Sequence, residues 1–390
     1  MNWRYRHTAL ALCTLAFAGT MVARLVISPV VPRIGDEFAV TNATIGLALS
    51  GMWLAYALSQ FPSGVLGDRY GERFVILLAV GTTAIASLLL ALSPTFAVFS
   101  VFAIVLGAGA GLHYSVATTF LARQFTDIGR AIGVHVAGGP AAGLIAPIAA
   151  AAVAARYGWR PALALGALVA VPVFVLFYWR IEPTTPRRPE QPMRERFRTG
   201  PLVELLSRRE IAYTVGLATI GAFSWQATAS FLPAFLELHH GFSTAAASLL
   251  FSVYFVVHGA TQPVTGWLSD RLSRDFAAGV TMGVGVVAYA LLVVADGVVL
   301  VSIAVLFVGL SMSWGAPLQS RFIDRLSEEE RNAGFGLVRT AYMVLGATGS
   351  VVIGAVSDVF GWAIAFGVIS AVLGIGAVAL AANRLFRLGL

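Results

Sequence analysis

The sequence contains no lysine and only one cysteine, Cys13. A single thiol excludes an intrachain disulfide and a cysteine metal cluster. The missing lysine excludes a P-loop, which uses a lysine to contact nucleotide phosphates, and the sequence also has neither zinc-ligand spacing nor a nucleophile elbow. We therefore expect no metal site, no cofactor and no enzymatic activity.

Charged residues are also scarce: they make up 12% of the 390 residues, whereas hydrophobic residues make up 58%. In a typical soluble domain about a quarter of the residues are charged. The composition therefore indicates an integral membrane protein whose partners are the lipid bilayer and a small solute. The net charge of +7 is explained by membrane orientation, so we expect no nucleic-acid partner.

The hydrophobic residues form long runs. Each run is close to the roughly 20 residues that a helix needs to cross about 30 Å of hydrocarbon. The runs lie near residues 8–31, 44–66, 74–92, 96–122, 131–154, 160–179, 211–236, 244–268, 276–295, 298–320, 332–356 and 361–383. The sequence thus predicts an all-α integral membrane protein with twelve transmembrane helices.

The arginines are distributed unequally between the two sets of loops. If the amino terminus is cytoplasmic, the inner segments carry 21 arginines and the outer loops carry 3. Because positive residues accumulate on the cytoplasmic side, we expect a multi-pass protein of the cell membrane with both termini in the cytoplasm. The stretch 181–210 is rich in proline and arginine and too polar to fold by itself, which predicts a cytoplasmic linker.

A charged, glycine-rich stretch separates the second and third runs. It reads GVLGDRYGER, and a less complete copy, GWLSDRLSRD, follows 202 residues later. The pattern comprises Gly64, Asp68, Arg69, Gly71 and Arg73 in the first copy and Gly266, Asp270 and Arg271 in the second. A chance charged loop is the alternative, and two copies in matching contexts argue against it.

This pattern resembles the signature loop between helices 2 and 3 of the major facilitator superfamily, from which Glu72 departs. The resemblance implies two pseudo-symmetric six-helix bundles, here 1–180 and 211–390, in a monomeric transporter. It also implies alternating access, in which solute binds near the midplane and the two halves rock. Asp68 would then hold the inner side closed, facing arginines such as Arg130.

Polar and aromatic residues inside the apolar runs are the candidates for a solute cavity. A charged side chain at membrane depth costs about 2.5 to 3.5 kcal/mol, so it normally faces a watery cavity or a partner. Trp53 and Tyr56 share one helix face, and Tyr254 and His258 share a face of the repeat-related helix. The candidates are Arg24, Trp53, Tyr56, His113, Trp225, Gln226, Tyr254, His258, Trp314, Arg339 and Tyr342.

Each candidate also has an ordinary structural interpretation. Arg24 lies beyond the middle of its span, so its side chain could extend to the outer surface. Arg339 lies about two turns from the inner boundary and could pair there. A lone histidine in an apolar helix, such as His113, is commonly a packed hydrogen-bonding residue.

Two partial motifs bear on gating and coupling. Gly139, Pro140 and Gly143 resemble part of an antiporter motif and predict a bendable fifth helix. In the fourth span, Ala103 stands where a related motif usually has the arginine that is tied to proton coupling. A coupling proton is therefore an open alternative.

Drug-like efflux is the first choice from the sequence, and two alternatives remain open. Pro29 and Pro32, at the end of the first span, and the partial antiporter motif resemble the drug:proton antiporter branch and favour drug-like efflux. Arg24, Arg339 and the lack of membrane carboxylates favour uptake or exchange of a small organic anion. The other alternative is a non-transporting receptor with the same fold.

Overall fold

The computed structural model describes residues 3–190, 200–327 and 331–390, and every regular element in these ranges is helical. The predicted linker 181–210 is described up to residue 190 and again from residue 200, so its middle part lies outside the described residues. The all-α prediction is confirmed. By its contacts, the chain divides into two compact units.

The first unit comprises residues 1–39 and 51–198. Its helices are α1 (Trp3–Leu25), α2 (Val31–Phe38), most of α3 (Asn42–Tyr70), α4 (Glu72–Ala91), α5 (Phe96–Gly111), α6 (His113–Ala122), α7 (Ile128–Val136), α8 (Gly138–Tyr157) and α9 (Trp159–Arg180). A short 3-10 turn, Ser28–Val30, joins α1 to α2. The core of this unit is formed where α1, α4, α6 and α9 meet around side chains such as Phe120 and Phe177.

The second unit comprises residues 40–50 and 199–390. Its helices are α10 (Gly200–Ser207), α11 (Arg209–Leu238), α12 (Thr244–Arg271), α13 (Arg274–Val294), α14 (Gly297–Ser311), α15 (Gly315–Arg325), α16 (Arg331–Gly346), α17 (Thr348–Phe360) and α18 (Trp362–Leu385). Residues 40–50 include the start of α3. The Asp358 carboxylate caps that start, accepting from the backbone N–H groups of Asn42 at 3.0 Å and Ala43 at 2.7 Å.

Ten segments of the described chain are long and apolar enough to cross a membrane. Two other helices have spanning length: α3 has 29 residues and α11 has 30. Both carry polar side chains within their length, including Gln60 and Gln226. Together these segments account for the twelve predicted spans, ten by length and composition and two by length.

The internal repeat is visible in backbone packing. Gly107 on α5 lies against the backbone carbonyl of Met52 on α3, and Gly309 on α14 lies against that of Tyr254 on α12. Both glycines and both carbonyls are separated by the same 202 residues. A Cβ atom on Gly309 would lie 2.8 Å from the Tyr254 oxygen, which is too close for any other residue. The two units therefore use glycine at equivalent positions for the same helix contact.

Interrupted helices are a second repeated feature. In the first unit, α5 passes to α6 at Leu112, and α7 passes to α8 at Ala137. In the second unit, a 3-10 turn at Met312–Trp314 precedes α15, and α16 passes to α17 at Ala347. Each unit thus contains two apolar segments in which the helix is interrupted.

Candidate functional site

The side chain of Arg24 is buried within the first unit, where only 2% of the residue is exposed. Its guanidinium carbon lies 4.2 Å from the ring centre of Tyr56 and 5.2 Å from that of Trp53. Arg24 Nε donates to the Thr20 carbonyl at 3.1 Å, and Nη2 lies 2.9 Å from the sulfur of Met21. The side chain therefore does not extend to the protein surface, and it lies against Trp53 and Tyr56, two other cavity candidates.

The local sequence explains why Arg24 has this position. It lies in the last turn of α1, where unpaired backbone carbonyls favour a cation. The following turn contains Pro29, which has no backbone N–H and cannot continue the helical ladder. The end of α1 is thereby fixed, and the arginine is placed against the aromatic face of α3.

Arg24 has no carboxylate within ion-pair distance among the residues that the structure describes. The sequences of α1, α5, α6 and α7 contain no aspartate or glutamate. Two aromatic faces offset part of the cost of burying the charge, since a desolvated cation–π contact contributes about 2 kcal/mol. A buried guanidinium without an anionic partner is a candidate site for an anion.

His113 lies beside a second buried histidine that the sequence analysis did not select. His113 and His135 are both 0% exposed, and their ring centres are 5.5 Å apart. Phe17 on α1 packs on both, with ring-centre distances of 6.2 Å and 5.3 Å. His113 Nε2 lies 3.2 Å from the carbonyl oxygen of Cys13, whose thiol is buried. The structure thus places His113 in a histidine pair; the sequence signal for this pair is a polar residue in each of two apolar helices.

The candidates of the second unit form aromatic pairs. Tyr254 stacks on His258 with ring centres 6.2 Å apart, and Trp225 meets Phe255 at 6.5 Å. Trp314 meets Tyr342 edge to face at 6.2 Å. These contacts pair Tyr254 with His258 on α12 and join Trp314, in the 3-10 turn before α15, to Tyr342 on α16.

Gln226 and Arg339 are the polar candidates of the second unit. Gln226 is 1% exposed, and its Nε2 donates to the Met343 carbonyl of α16 at 3.3 Å. Its amide oxygen is buried without a hydrogen-bond donor among the described residues. Arg339 lies on α16, one turn before Met343, and is partly buried. The repeat therefore places an amide in the second unit at the position equivalent to Arg24.

The signature loop of the first unit is covered by the start of the predicted linker. The backbone N–H groups of Arg187 and Arg188 both donate to the Asp68 carbonyl at 2.9 Å. The Arg73 backbone N–H donates to Thr184 Oγ1 at 3.0 Å. Residues 184–188 of the predicted linker thus bind the signature loop through hydrogen bonds that the composition of 181–210 does not reveal.

The glycines of this loop have different uses. Gly71 has φ +88°, a backbone conformation that favours glycine. A Cβ atom there would also overlap the Thr184 carbonyl, so the lack of a side chain is required as well. Gly64 has open space around an added Cβ, so close packing does not require glycine at that position. Arg69 lies over the ring of Tyr70, with its guanidinium carbon 5.5 Å from the centre, and Arg73 Nη2 donates to the Tyr178 carbonyl at 2.6 Å.

Glu72, which departs from the family pattern, is buried and paired. Its side chain is 2% exposed, and its Oε1 lies 2.9 Å from Arg123 Nη2 and 4.0 Å from Arg187 Nε. In the second copy the equivalent residue is Arg274, which pairs with Asp324 at 2.9 Å and with Asp270. Gly266 has ordinary contacts, and Arg271 lies over the ring of Trp267 at 4.9 Å.

Arg130 lies on the wall of a cavity of about 460 Å³ in the first unit. Arg6, His7 and Asp127 share this wall. The Asp127 side chain caps α7 by accepting from the Arg130 backbone N–H at 3.3 Å. Arg130 therefore lies in the first turn of α7 and lines this cavity.

The predicted bending residues lie directly after a helix interruption. α7 ends at Val136, and Gly139 and Pro140 lie in the first turn of α8. Gly143 follows within α8 and is buried. Gly139 packs on the ring of Phe17, with 3.1 Å to an added Cβ, so the interruption adjoins the histidine pair. No group of three metal-ligand side chains is placed to hold a metal ion within the described ranges.

Comparison with known proteins shows the protein family to which this chain belongs. A family model described as Major Facilitator Superfamily matches residues 10–244 and 214–387. The chain therefore belongs to the major facilitator superfamily, which confirms the family prediction and the fold of two helix bundles. The fold and relatives are those of membrane transporters, not of enzymes.

The chain is also similar to individual proteins and to a solved structure. The chain is 25% identical to "Probable sulfoacetate transporter SauU" of Cupriavidus necator, over 96% of this chain and 93% of that one. It is 27% identical to "Membrane sensor protein UhpC" of Escherichia coli, over 46% of this chain and 41% of that one. The chain also shares its fold with the crystal structure of a bacterial homolog of the human lysosomal transporter Spinster, in an inward-facing and unoccupied conformation. The TM-score is 0.86 at 17% sequence identity, and the match covers 99% of this chain and 98% of that chain. The drug:proton antiporter branch is not specifically supported by these matches.

Proposed function

We propose that this protein is a secondary transporter that moves a small organic anion across the cytoplasmic membrane by alternating access. The observation that carries the proposal is the buried guanidinium of Arg24, held by Tyr56 and Trp53 with no carboxylate partner in the described chain. A planar guanidinium binds carboxylate and sulfonate oxygens through two parallel hydrogen bonds. The anion would supply the countercharge that the protein lacks.

The aromatic surroundings suit a small solute. Tyr56 and Trp53 occupy one side of the guanidinium, and Thr20 and Met21 engage two of its nitrogen atoms. A guanidinium has five N–H donors, and these contacts use only some of them. We infer that the solute presents one carboxylate or sulfonate to Arg24.

Similarity to the sulfoacetate transporter over almost the whole of both chains supports the same solute class. Drug-like efflux, the first choice from sequence, has less support, because it rested on proline and glycine patterns that fit any bending helix. The receptor alternative retains a specific observation, the partial similarity to a membrane sensor protein. A receptor would bind the anion without moving it.

The test is flux of labelled sulfoacetate into proteoliposomes that contain the purified protein and unlabelled sulfoacetate. The proposal predicts exchange by the wild type and loss of exchange in Arg24→Gln. Arg24→Lys should give intermediate exchange, since it keeps the charge and loses the forked geometry. Arg156→Gln is the matched control, because Arg156 is exposed at the end of α8.

Three results would decide between the alternatives. Sulfoacetate binding without exchange would indicate a receptor. Exchange of a neutral or cationic drug, with no exchange of sulfoacetate, carboxylates or phosphate esters, would return the assignment to efflux. Equal exchange in wild type and Arg24→Gln would remove Arg24 from the solute site.

A further inference from the structure

The histidine pair His113–His135 is the buried titratable group that the proposed anion site does not use. Each ring is 0% exposed, and the ring centres are 5.5 Å apart at an angle of 48°. The two residues flank the interruptions of neighbouring helices: His113 begins α6, directly after Leu112, and His135 lies two residues before Ala137. The pair therefore lies where two helix ladders are locally opened.

Hydrogen bonding fixes which nitrogen atoms are available. The Cys13 carbonyl can only accept, so the neutral His113 ring carries its proton on Nε2 and donates it to that oxygen. His113 Nδ1 and both ring nitrogens of His135 are buried without a hydrogen-bond partner in the described chain. Buried polar atoms are normally paired. In the neutral pair two of these three nitrogens carry a lone pair, His113 Nδ1 and one nitrogen of His135, and either can accept a proton.

The surroundings leave the histidines as the proton acceptors. From α1 the pair faces Cys13 and, further along, Arg24. From α6 it faces Tyr114, whose ring centre lies 6.1 Å from that of His135. α5 has no titratable side chain; Glu72 and Arg73 lie only in the first turn of α4, and Arg156 and Tyr157 only in the last turn of α8. The remaining face is covered by the ring of Phe17.

Geometry connects the pair to the anion site. Phe17 and Arg24 are seven residues apart on α1, so they lie on the same helix face about 10 Å apart. Met21, between them, contacts the Arg24 guanidinium, and its methyl group lies 4.0 Å from an added Cβ on Gly139. An anion held by Arg24 would stabilise a proton on the pair through this short distance, and the proton would in turn strengthen anion binding.

We propose that His113 and His135 together bind one proton that is carried with the anion. This inference rests on the proposed function. The proton is taken from water on the side with the lower pH, bound at His113 Nδ1 or at the unprotonated ring nitrogen of His135, and released to water on the other side with the anion. No bond other than these N–H bonds is made or broken. The histidine pair thus binds the coupling proton, a function for which Ala103 has no titratable side chain.

The test uses two measurements on the same proteoliposomes, with sulfoacetate as the probe. Exchange of labelled for unlabelled sulfoacetate at equal pH reports anion movement without net proton flow. A pH-sensitive dye inside the vesicles reports proton entry when sulfoacetate is added outside. The wild type should show both signals, and its apparent KM should rise about tenfold per pH unit above the pKa of the pair.

The double variant His113→Gln with His135→Gln should keep exchange, lose sulfoacetate-driven proton entry and lose the pH dependence of KM. His239→Gln, an exposed histidine outside the helices, should behave like the wild type. No exchange of sulfoacetate, carboxylates or phosphate esters by the wild type would overturn the proposed function. Wild-type exchange with no proton entry, or proton entry that survives in the double variant, would overturn the proton site alone.

A variant that fails to fold does not prevent the decision. Calorimetric titration of the wild type with sulfoacetate, in two buffers with different ionisation heats, measures the protons bound per anion. The proposal requires close to one proton at a pH above the pKa of the pair, and zero would overturn it. The single variants His113→Gln and His135→Gln should each reduce that number.

Discussion

Glu72 and Arg274 occupy equivalent positions in the two repeats and carry opposite charges. Glu72 pairs with Arg123 across 2.9 Å, and Arg274 pairs with Asp324 across the same distance. The partners come from the ends of the equivalent helices α6 and α15. Each unit thus keeps an ion pair between the same two helices, with the charges exchanged.

The first prediction concerns this exchanged pair. Glu72→Arg places two arginines together and should lower the free energy of unfolding by about 3 kcal/mol, since a buried pair loses one partner. The combined exchange Glu72→Arg with Arg123→Glu should restore most of that loss. Thermal unfolding in detergent measures both. If the double variant is no more stable than the single variants together predict, the pair does not act as a unit.

The second prediction concerns the proposed gate. Asp68→Asn should abolish sulfoacetate exchange and leave the unfolding temperature unchanged, because the backbone carbonyl that binds Arg187 and Arg188 is retained. Asp270→Asn should keep most exchange. The Asp270 side chain is 70% exposed, and its partner Arg274 also holds Asp324, so an exposed pair of about 0 to 1 kcal/mol is lost. Equal effects of the two substitutions would contradict an unequal role for the two loops.

The third prediction concerns Tyr56 as the support of Arg24. Tyr56→Phe keeps the ring under the guanidinium and should leave the affinity for sulfoacetate nearly unchanged. Tyr56→Leu removes a contact of about 2 kcal/mol, which corresponds to roughly thirtyfold weaker binding. Trp53→Leu should cost less, because its ring lies further from the guanidinium, at 5.2 Å against 4.2 Å. Equilibrium binding measures all three, and an equal loss for Phe and Leu at position 56 would exclude the cation–π support.

The fourth prediction concerns orientation. In a Cys13→Ser background, Asp296→Cys should react with a membrane-impermeant thiol reagent on intact cells. Glu190→Cys should react only after permeabilisation. Both positions are exposed and lie between helices, so reactivity reports the side of the membrane. The opposite labelling pattern would contradict the orientation that the arginine distribution predicts.

The fold was predictable because the repeat and the apolar runs are long-range patterns that tolerate local variation. The 202-residue spacing already aligned Gly107 with Gly309, and the structure shows both glycines in the same backbone contact. Arg24, Trp53 and Tyr56 could each be selected from the sequence as a lone charge and an aromatic face in apolar segments, but their contact was not predicted.

The remaining features depend on contacts between distant segments. Thr184 lies beside Gly71 although 113 residues separate them in the sequence, and linker composition gives no sign of that contact. His135 was not among the candidates, so its proximity to His113 was not foreseen. From the sequence, Glu72 is only a departure from a family pattern, whereas the structure shows that it pairs with Arg123. Each of these requires knowledge of which helix ends are neighbours.

The glycine contacts of α5 with α3 and of α14 with α12 also determine how each unit can deform. Backbone atoms in direct contact have no flexible side chain between them to absorb sliding, so these two helix pairs resist shear. Low compliance at Gly107 and Gly309 makes each pair move as one piece, and any large displacement during a transport cycle must be absorbed by other segments. The interruptions at Leu112, Ala137, Met312–Trp314 and Ala347 are segments of the described chain where the helix is broken and the backbone can bend.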